Sequence, residues 1–173
     1  MSWIPSSSHG PGIVRASDAE TLVAGPRRLQ LLLDSSATGG ALSSHRVRLG
    51  DGAEGANPHR HTRSSELFYV LDGSVDVLAG EKVVTATEGD MVVVPPGVAH
   101  AFGASTGHDG ELLVVITPGI ERFEFFRQLV RIMTGTAPQE SLMGTNALYD
   151  TYAMPRDVWD QARSAGGLPT KPT

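Results

Sequence analysis

One stretch constrains this chain more than any other: His59 to Gly73, which reads His-Arg-His-Thr-Arg-Ser-Ser-Glu-Leu-Phe-Tyr-Val-Leu-Asp-Gly. His59 and His61 are two residues apart, and on an extended strand that spacing puts both imidazoles on one face. Glu66 lies five positions beyond His61, which breaks the parity. The polar run Thr62-Arg63-Ser64-Ser65 therefore reads as a turn that returns the chain. A new strand then starts at Glu66, with Phe68 and Val70 on the same face as the carboxylate. Two imidazoles and a carboxylate converging on one face make a site for a first-row metal ion. A second stretch, Gly89 to His100, ends in a third histidine after the tight turn Pro95-Pro96-Gly97.

The spacing resembles the paired motifs of the cupin superfamily. His59-x-His61, four residues, Glu66, six residues and Gly73 match the first motif. Gly89, five residues, Pro95-x-Gly97, two residues and His100 match the second, after a separation of fifteen residues (74 to 88). The resemblance covers residues 28 to 117 and departs from the family pattern at two positions. Ala53, flanked by Gly52 and Gly55, stands where the family has a glycine, and Ala104 replaces an asparagine that often closes the second motif. Neither change removes a ligand. The resemblance implies that His59, His61, Glu66 and His100 hold one divalent transition metal ion (iron, nickel, manganese, cobalt, copper or zinc). It also implies a small, single-domain, quercetinase-like cupin.

Strand and turn signals agree with that fold class. Ser74 to Leu78, Lys82 to Ala86, Met91 to Val94, Ala99 to Phe102 and Glu111 to Thr117 read as short strands at close spacing, with Asp72-Gly73 and Ala79-Gly80 as hairpin turns. Ahead of them, Leu29 to Asp34 and Ala41 to Leu49 read as strands, and Asp51 to Pro58 as a loop leading to the ligand pair. Short strands with Gly, Pro and Asp turns and no intervening helices predict an all-β barrel or jelly roll. The resemblance makes it a double-stranded β-helix barrel. Phe68, Val70, Val92, Val94 and Phe102 are the expected barrel lining, and Ala104 is a neutral core position. His45 falls in a strand and reads as a surface or satisfied histidine rather than a fifth ligand; His9 and His108 carry no signal.

Past Pro118 the period changes. Ile120, Phe123, Phe126, Val130 and Met133 recur at three- and four-residue steps, so residues 120 to 133 read as an amphipathic helix stopped by Gly135 and Pro138. Pro138 to Tyr152 and Pro155 to Ala165 have room for two more short helices. Leu148, Tyr149, Tyr152, Met154 and Trp159 make 147 to 159 unusually apolar, and they are expected to pack on the barrel, as a lid or on its outer wall. The division is an N-terminal arm (1–27), a cupin barrel (28–117) and a C-terminal helical extension (118–173). Within the arm, Trp3-Ile4 is an apolar pair in a polar tail, read as a frayed end or an anchor for another subunit.

With 173 residues and 40% hydrophobic content, the chain is long enough to bury one substantial core. Its formal net charge of −5 and lack of a Lys/Arg cluster argue against a nucleic-acid partner. There is no cysteine, so any metal is held through nitrogen and oxygen alone. No apolar run approaches the roughly 18 residues of a membrane span, and Met1 to Gly12 lacks the features of a secretory signal. A cytoplasmic homodimer acting on a small molecule is the expectation.

Four protein ligands on an ion that prefers five or six leave positions open, as in a working site. The first expectation is a dioxygenase acting on a small hydroxylated or enolisable aromatic compound, with Glu66 as both ligand and base. The alternatives are a metal-dependent isomerase, lyase or cyclase, and a small-molecule binding module without turnover.

Overall fold

The structure is a computed structural model, described here for residues 13–164; the Trp3-Ile4 pair and His9 lie outside the described residues. Ten strands follow in order: β1 (Thr21–Ala24), β2 (Arg27–Leu33), β3 (Ser43–Leu49), β4 (Glu54–Arg60), β5 (Ser65–Ala79), β6 (Lys82–Thr87), β7 (Met91–Val94), β8 (His100–Ala104), β9 (Gly110–Thr117) and β10 (Tyr152–Ala153). Helices α1 (Phe123–Met133), α2 (Asn146–Tyr149) and α3 (Asp157–Ser164) follow the barrel strands. Every strand pairing is antiparallel, in the order β1-β2-β3-β9-β5-β8-β4-β10, with β6 and β7 also on β5. The all-β expectation holds.

One long strand joins the two halves. Asp72-Gly73, expected as a hairpin turn, is instead a bend inside β5. The fifteen-residue strand runs straight through it. Before the bend β5 pairs with β9 and β7; after it, with β6 and β8. The register to β9 slips between Val70 and Asp72, and Gly73 takes φ +74. A β-carbon at Gly73 would sit 2.1 Å from the Asp109 carbonyl oxygen, so only glycine fits the bend. The same Asp-Gly chemistry that makes tight turns here makes a bulge, because long partners on both sides keep the strand going.

The loop expected over Asp51 to Pro58 also differs: residues 54–60 form β4. Its pairing with β8 slips twice, between Glu54 and Ala56 and between Ala56 and His59. Those irregularities accommodate Asn57 and Pro58, which locally read as loop formers. Gly55 packs on Phe102 so closely that a β-carbon would come within 2.2 Å of the ring.

Alternation sets the core. Along β5 the buried positions Glu66, Phe68 and Val70 alternate with half-exposed Ser65, Leu67 and Tyr69. Phe68, Val70, Val94 and Phe102 are buried with Val47, Leu49, Val75, Val77, Ala104, Leu112 and Val114, and Val92 packs against them. These are the positions expected to line the barrel. Ala104 is fully buried, a core position as the sequence implied.

The C-terminal residues divide between two places. Trp159 of α3 is fully buried against Leu78 and Ala101 on the outer wall. Its indole Nε1 donates to Glu54 at 3.1 Å, and Arg163 ties the same helix to Asp76 at 3.0 Å. Tyr149, by contrast, packs on Phe125 of α1, with ring centroids 5.2 Å apart, and faces the interior. Trp159 thus packs on the wall and Tyr149 lines the cavity, while Leu148, also expected to pack, is 65% exposed. At the start of α1 the carboxylate of Asp34 accepts from the backbone N–H groups of Arg122 and Phe123, at 2.8 and 3.1 Å, so the residue that follows β2 caps a helix behind the barrel.

Candidate metal centre

His59 is the penultimate residue of β4, His61 directly follows that strand, Glu66 is the second residue of β5 and His100 opens β8. The register sets His59 directly opposite His100, and their ring centroids lie 4.2 Å apart. Each of the four residues offers a ligand atom, and these atoms lie within 4.8 Å of one another. Glu66 Oε2 is 2.7 Å from His100 Nε2, 3.0 Å from His61 Nε2 and 3.9 Å from His59 Nε2. All four side chains are buried. The structure thus brings together the four positions that the motif spacing singled out.

The outer nitrogens fix the way the inner ones face. Each Nδ1 faces a backbone carbonyl: His59 that of Asn57 at 2.7 Å, His61 that of Asp150 at 2.5 Å, His100 that of Val98 at 2.9 Å. A carbonyl only accepts, so each Nδ1 donates outward and each Nε2 faces inward, carrying a lone pair whenever its ring is neutral. Three such lone pairs and a carboxylate oxygen in one small volume repel one another unless a cation or a proton sits between them. The donor set, three imidazoles and one carboxylate without thiolate, fits a divalent transition ion. The cluster could hold one.

Protons compete for the same place. Burial works to raise the Glu66 carboxyl, but the imidazoles of His100 and His61 outweigh it and hold it well below the usual carboxylate range. Burial depresses His100, and the bond to Glu66 more than restores it, so its pKa lies above the ordinary value. His59, buried and beside His100, is pushed down to about 3. Binding an ion would displace any proton shared by His100 and Glu66.

Three residues that sequence reasoning did not assign shape the site. Asp150, buried and in the left-handed region at φ 45, holds the turn that follows His61. Its carboxylate accepts from Thr62 N at 3.0 Å, Thr62 Oγ1 at 2.5 Å and Arg63 N at 2.9 Å, while its carbonyl orients His61. Arg122 is buried with Nη1 3.1 Å from His61 Nε2, and its guanidinium lies 5.2 and 5.3 Å from the ring centres of Phe125 and Phe126. Burial lowers its pKa and the charge of Glu66 raises it; a guanidinium stays protonated throughout. His45 is buried rather than at the surface, its ring 4.6 Å from that of Phe126, and it is not among the four clustered residues. Nothing in the sequence around Arg122 or Asp150 marks these contacts.

A cavity of about 480 Å³ leads to the cluster. His59, Glu66, His45 and Arg122 line it, and its remaining wall is largely apolar, from the barrel residues Val47, Leu49 and Phe102 to Phe125 and Phe126 of α1 and Tyr149 of α2. That is the size and lining of a small-molecule site.

A family described as "Cupin domain" matches residues 45–116, the span that carries all four clustered side chains. No match emerges among curated proteins. Solved structures agree on the fold. An RmlC-like cupin from Shewanella frigidimarina is 25% identical with a TM-score of 0.55, covering 67% of this chain and 96% of that one. The polyketide cyclase RemF of Streptomyces resistomycificus is 19% identical at TM-score 0.53, covering 63% and 80%. The nucleoside dehydratase Pac13, from Streptomyces, is 16% identical at TM-score 0.52, covering 65% and 87%. Motif spacing, antiparallel barrel and family match converge: residues 45–116 of this chain form a cupin domain.

Proposed function

We propose that this cupin is a metal-dependent enzyme that draws a small hydroxylated or enolisable aromatic compound into the cavity and oxidises it with dioxygen, with His59, His61, Glu66 and His100 holding the ion. The observation that supports it is the largely apolar cavity ending on a buried cluster of three imidazoles and one carboxylate. A divalent ion there would supply Lewis acidity toward a substrate oxygen and, if redox-active, a path for electrons to dioxygen. The chain's own groups prepare the substrate. Glu66 Oε2 takes both imidazole contacts, so Oε1 is the oxygen placed to receive a proton from a substrate hydroxyl. Burial of the cluster keeps bulk water from quenching the anion that results.

A second reading is a non-redox cyclase, dehydratase or isomerase. It is favoured by the buried Arg122 guanidinium, which can steady an oxyanion without any redox change, and by the fold shared with a polyketide cyclase and a nucleoside dehydratase. Oxygen uptake on flavonols and related enols, followed with product analysis, separates the readings. The E66Q protein should keep much of its metal and lose about 10²-fold or more in rate. Product formed at the normal rate without oxygen transfers the site to the second reading, and no product from any substrate leaves a binding module.

We also infer a homodimer. Strand β7 pairs only with β5 among the described residues, and it exposes Met91 and Val93 at 57% and 56%. Light scattering at micromolar concentration should return twice the chain mass; a value near 18.3 kDa contradicts the dimer.

A further inference from the structure

Arg122 puts a buried positive charge into the cavity wall with no anion assigned to it. The residue is 5% exposed, its Nε has no hydrogen-bond partner, and Nη1 meets only the imidazole of His61, at 3.1 Å. The carboxylates whose fields reach it are occupied elsewhere: Glu66 with imidazoles, Asp150 with Thr62 and Arg63, Asp34 with the first N–H groups of α1. Among the described residues none forms an ion pair with its guanidinium. A guanidinium left buried without a counter-charge is costly. The single charge of Glu66 is the only negative one at the cluster, and a divalent ion there would claim it. The excess of positive charge therefore faces the cavity. Phe125 and Phe126 lie against the guanidinium, which lines the cavity with its Nε unpaired, so a planar two-oxygen group there would supply the missing acceptor.

We propose that the ligand of this cavity is a monoanion, an aromatic or aliphatic carboxylate, whose carboxylate binds the Arg122 guanidinium while its apolar body lies between Phe102, Phe125 and Tyr149. This rests on the cavity being the substrate's, as in the reading above, but not on oxygen or on turnover.

A matched pair of probes tests it by calorimetric titration of the metal-loaded protein: 1-naphthoate, and 1-naphthamide of the same shape without the charge. The acid should bind at least about tenfold tighter than the amide, a factor typical of a charged hydrogen-bonded contact. In R122Q the two affinities should converge, because the acid weakens while the amide is unchanged. R122K should fall between, since it keeps the charge and loses the fork. Equal binding of both probes by the wild-type protein overturns the proposal, as does failure of both to bind. A preference that survives in R122Q and vanishes on chelation overturns it too, because it assigns the carboxylate to the ion. These titrations read no turnover, so an enzyme that proves inert to oxygen leaves the result standing, and a failed preference leaves the oxidation reading to its own assay.

Discussion

Replacing Asp150 tests how the C-terminal segment holds the turn between His61 and Glu66. The side chain is 1% exposed and accepts three hydrogen bonds, from Thr62 N, Thr62 Oγ1 and Arg63 N. In D150A three donors lose their acceptor, each worth about 1–3 kcal/mol if it stays buried and unpaired. Alanine at φ 45 adds about 1 kcal/mol of backbone cost. Water entering the space recovers part of this, which leaves a net loss of about 3–5 kcal/mol. At a urea slope of about 2 kcal/mol/M, the unfolding midpoint should fall by roughly 2 M. D150N isolates the charge, since asparagine tolerates the left-handed region and keeps one acceptor oxygen. It should cost about 1–2 kcal/mol.

The deficit of D150N should also depend on pH. Burial works to raise the Asp150 carboxyl, but the bonds from Thr62 and Arg63 outweigh it and hold its pKa below the ordinary value. A carboxyl depressed in the fold contributes stability that is complete above its unfolded value, about 3.9, and is lost as pH falls through the folded value. The gap between wild type and D150N should therefore be full at pH 7 and close progressively below about pH 4. Because the Asp150 carbonyl orients His61, metal affinity should fall by about 10–100-fold in D150A. A midpoint unchanged by D150A, or a D150N deficit constant from pH 7 to pH 3, would refute this reasoning.

W159A removes a fully buried indole from the outer wall and its bond to Glu54, and should lower stability by about 3–5 kcal/mol in the same urea assay. Buried His45 is pushed down to about 4, chiefly by burial and against the pull of Glu66, so its ring resonances should not titrate between pH 8 and 5. Since the unfolded chain takes up that proton near 6.5, His45 should erode stability as pH falls from about 6.5 toward 4, and H45Q should flatten that slope. An NMR midpoint near 6.5 for His45 contradicts its burial.

The clustered residues His59, His61, Glu66 and His100 were legible in the sequence because their geometry is local. His59 and His61 share a strand face by parity, and Glu66 and His100 each follow a turn whose residues mark it. The strands of the second half were legible for the same reason. Errors arose where neighbours overrule local chemistry. Asp72-Gly73 has the composition of a hairpin, yet β9 and β8 hold the strand on both sides of it. Asn57 and Pro58 read as loop, yet pairing with β8 and β10 keeps them in β4. Arg122 and Asp150 were out of reach altogether. They meet His61 across 61 and 89 positions of chain, and nothing in their own surroundings announces the contact.

Metal analysis of the purified protein tests the central claim most directly. Inductively coupled plasma mass spectrometry on wild type and H100A, with circular dichroism to confirm that both are folded, reads it in one experiment. One divalent ion per wild-type chain and a sharp drop in H100A is the result expected from three inward-facing Nε2 lone pairs and one carboxylate. A folded wild-type protein that takes up no transition metal when supplied with it, or an H100A protein of unchanged stoichiometry, would contradict the claim.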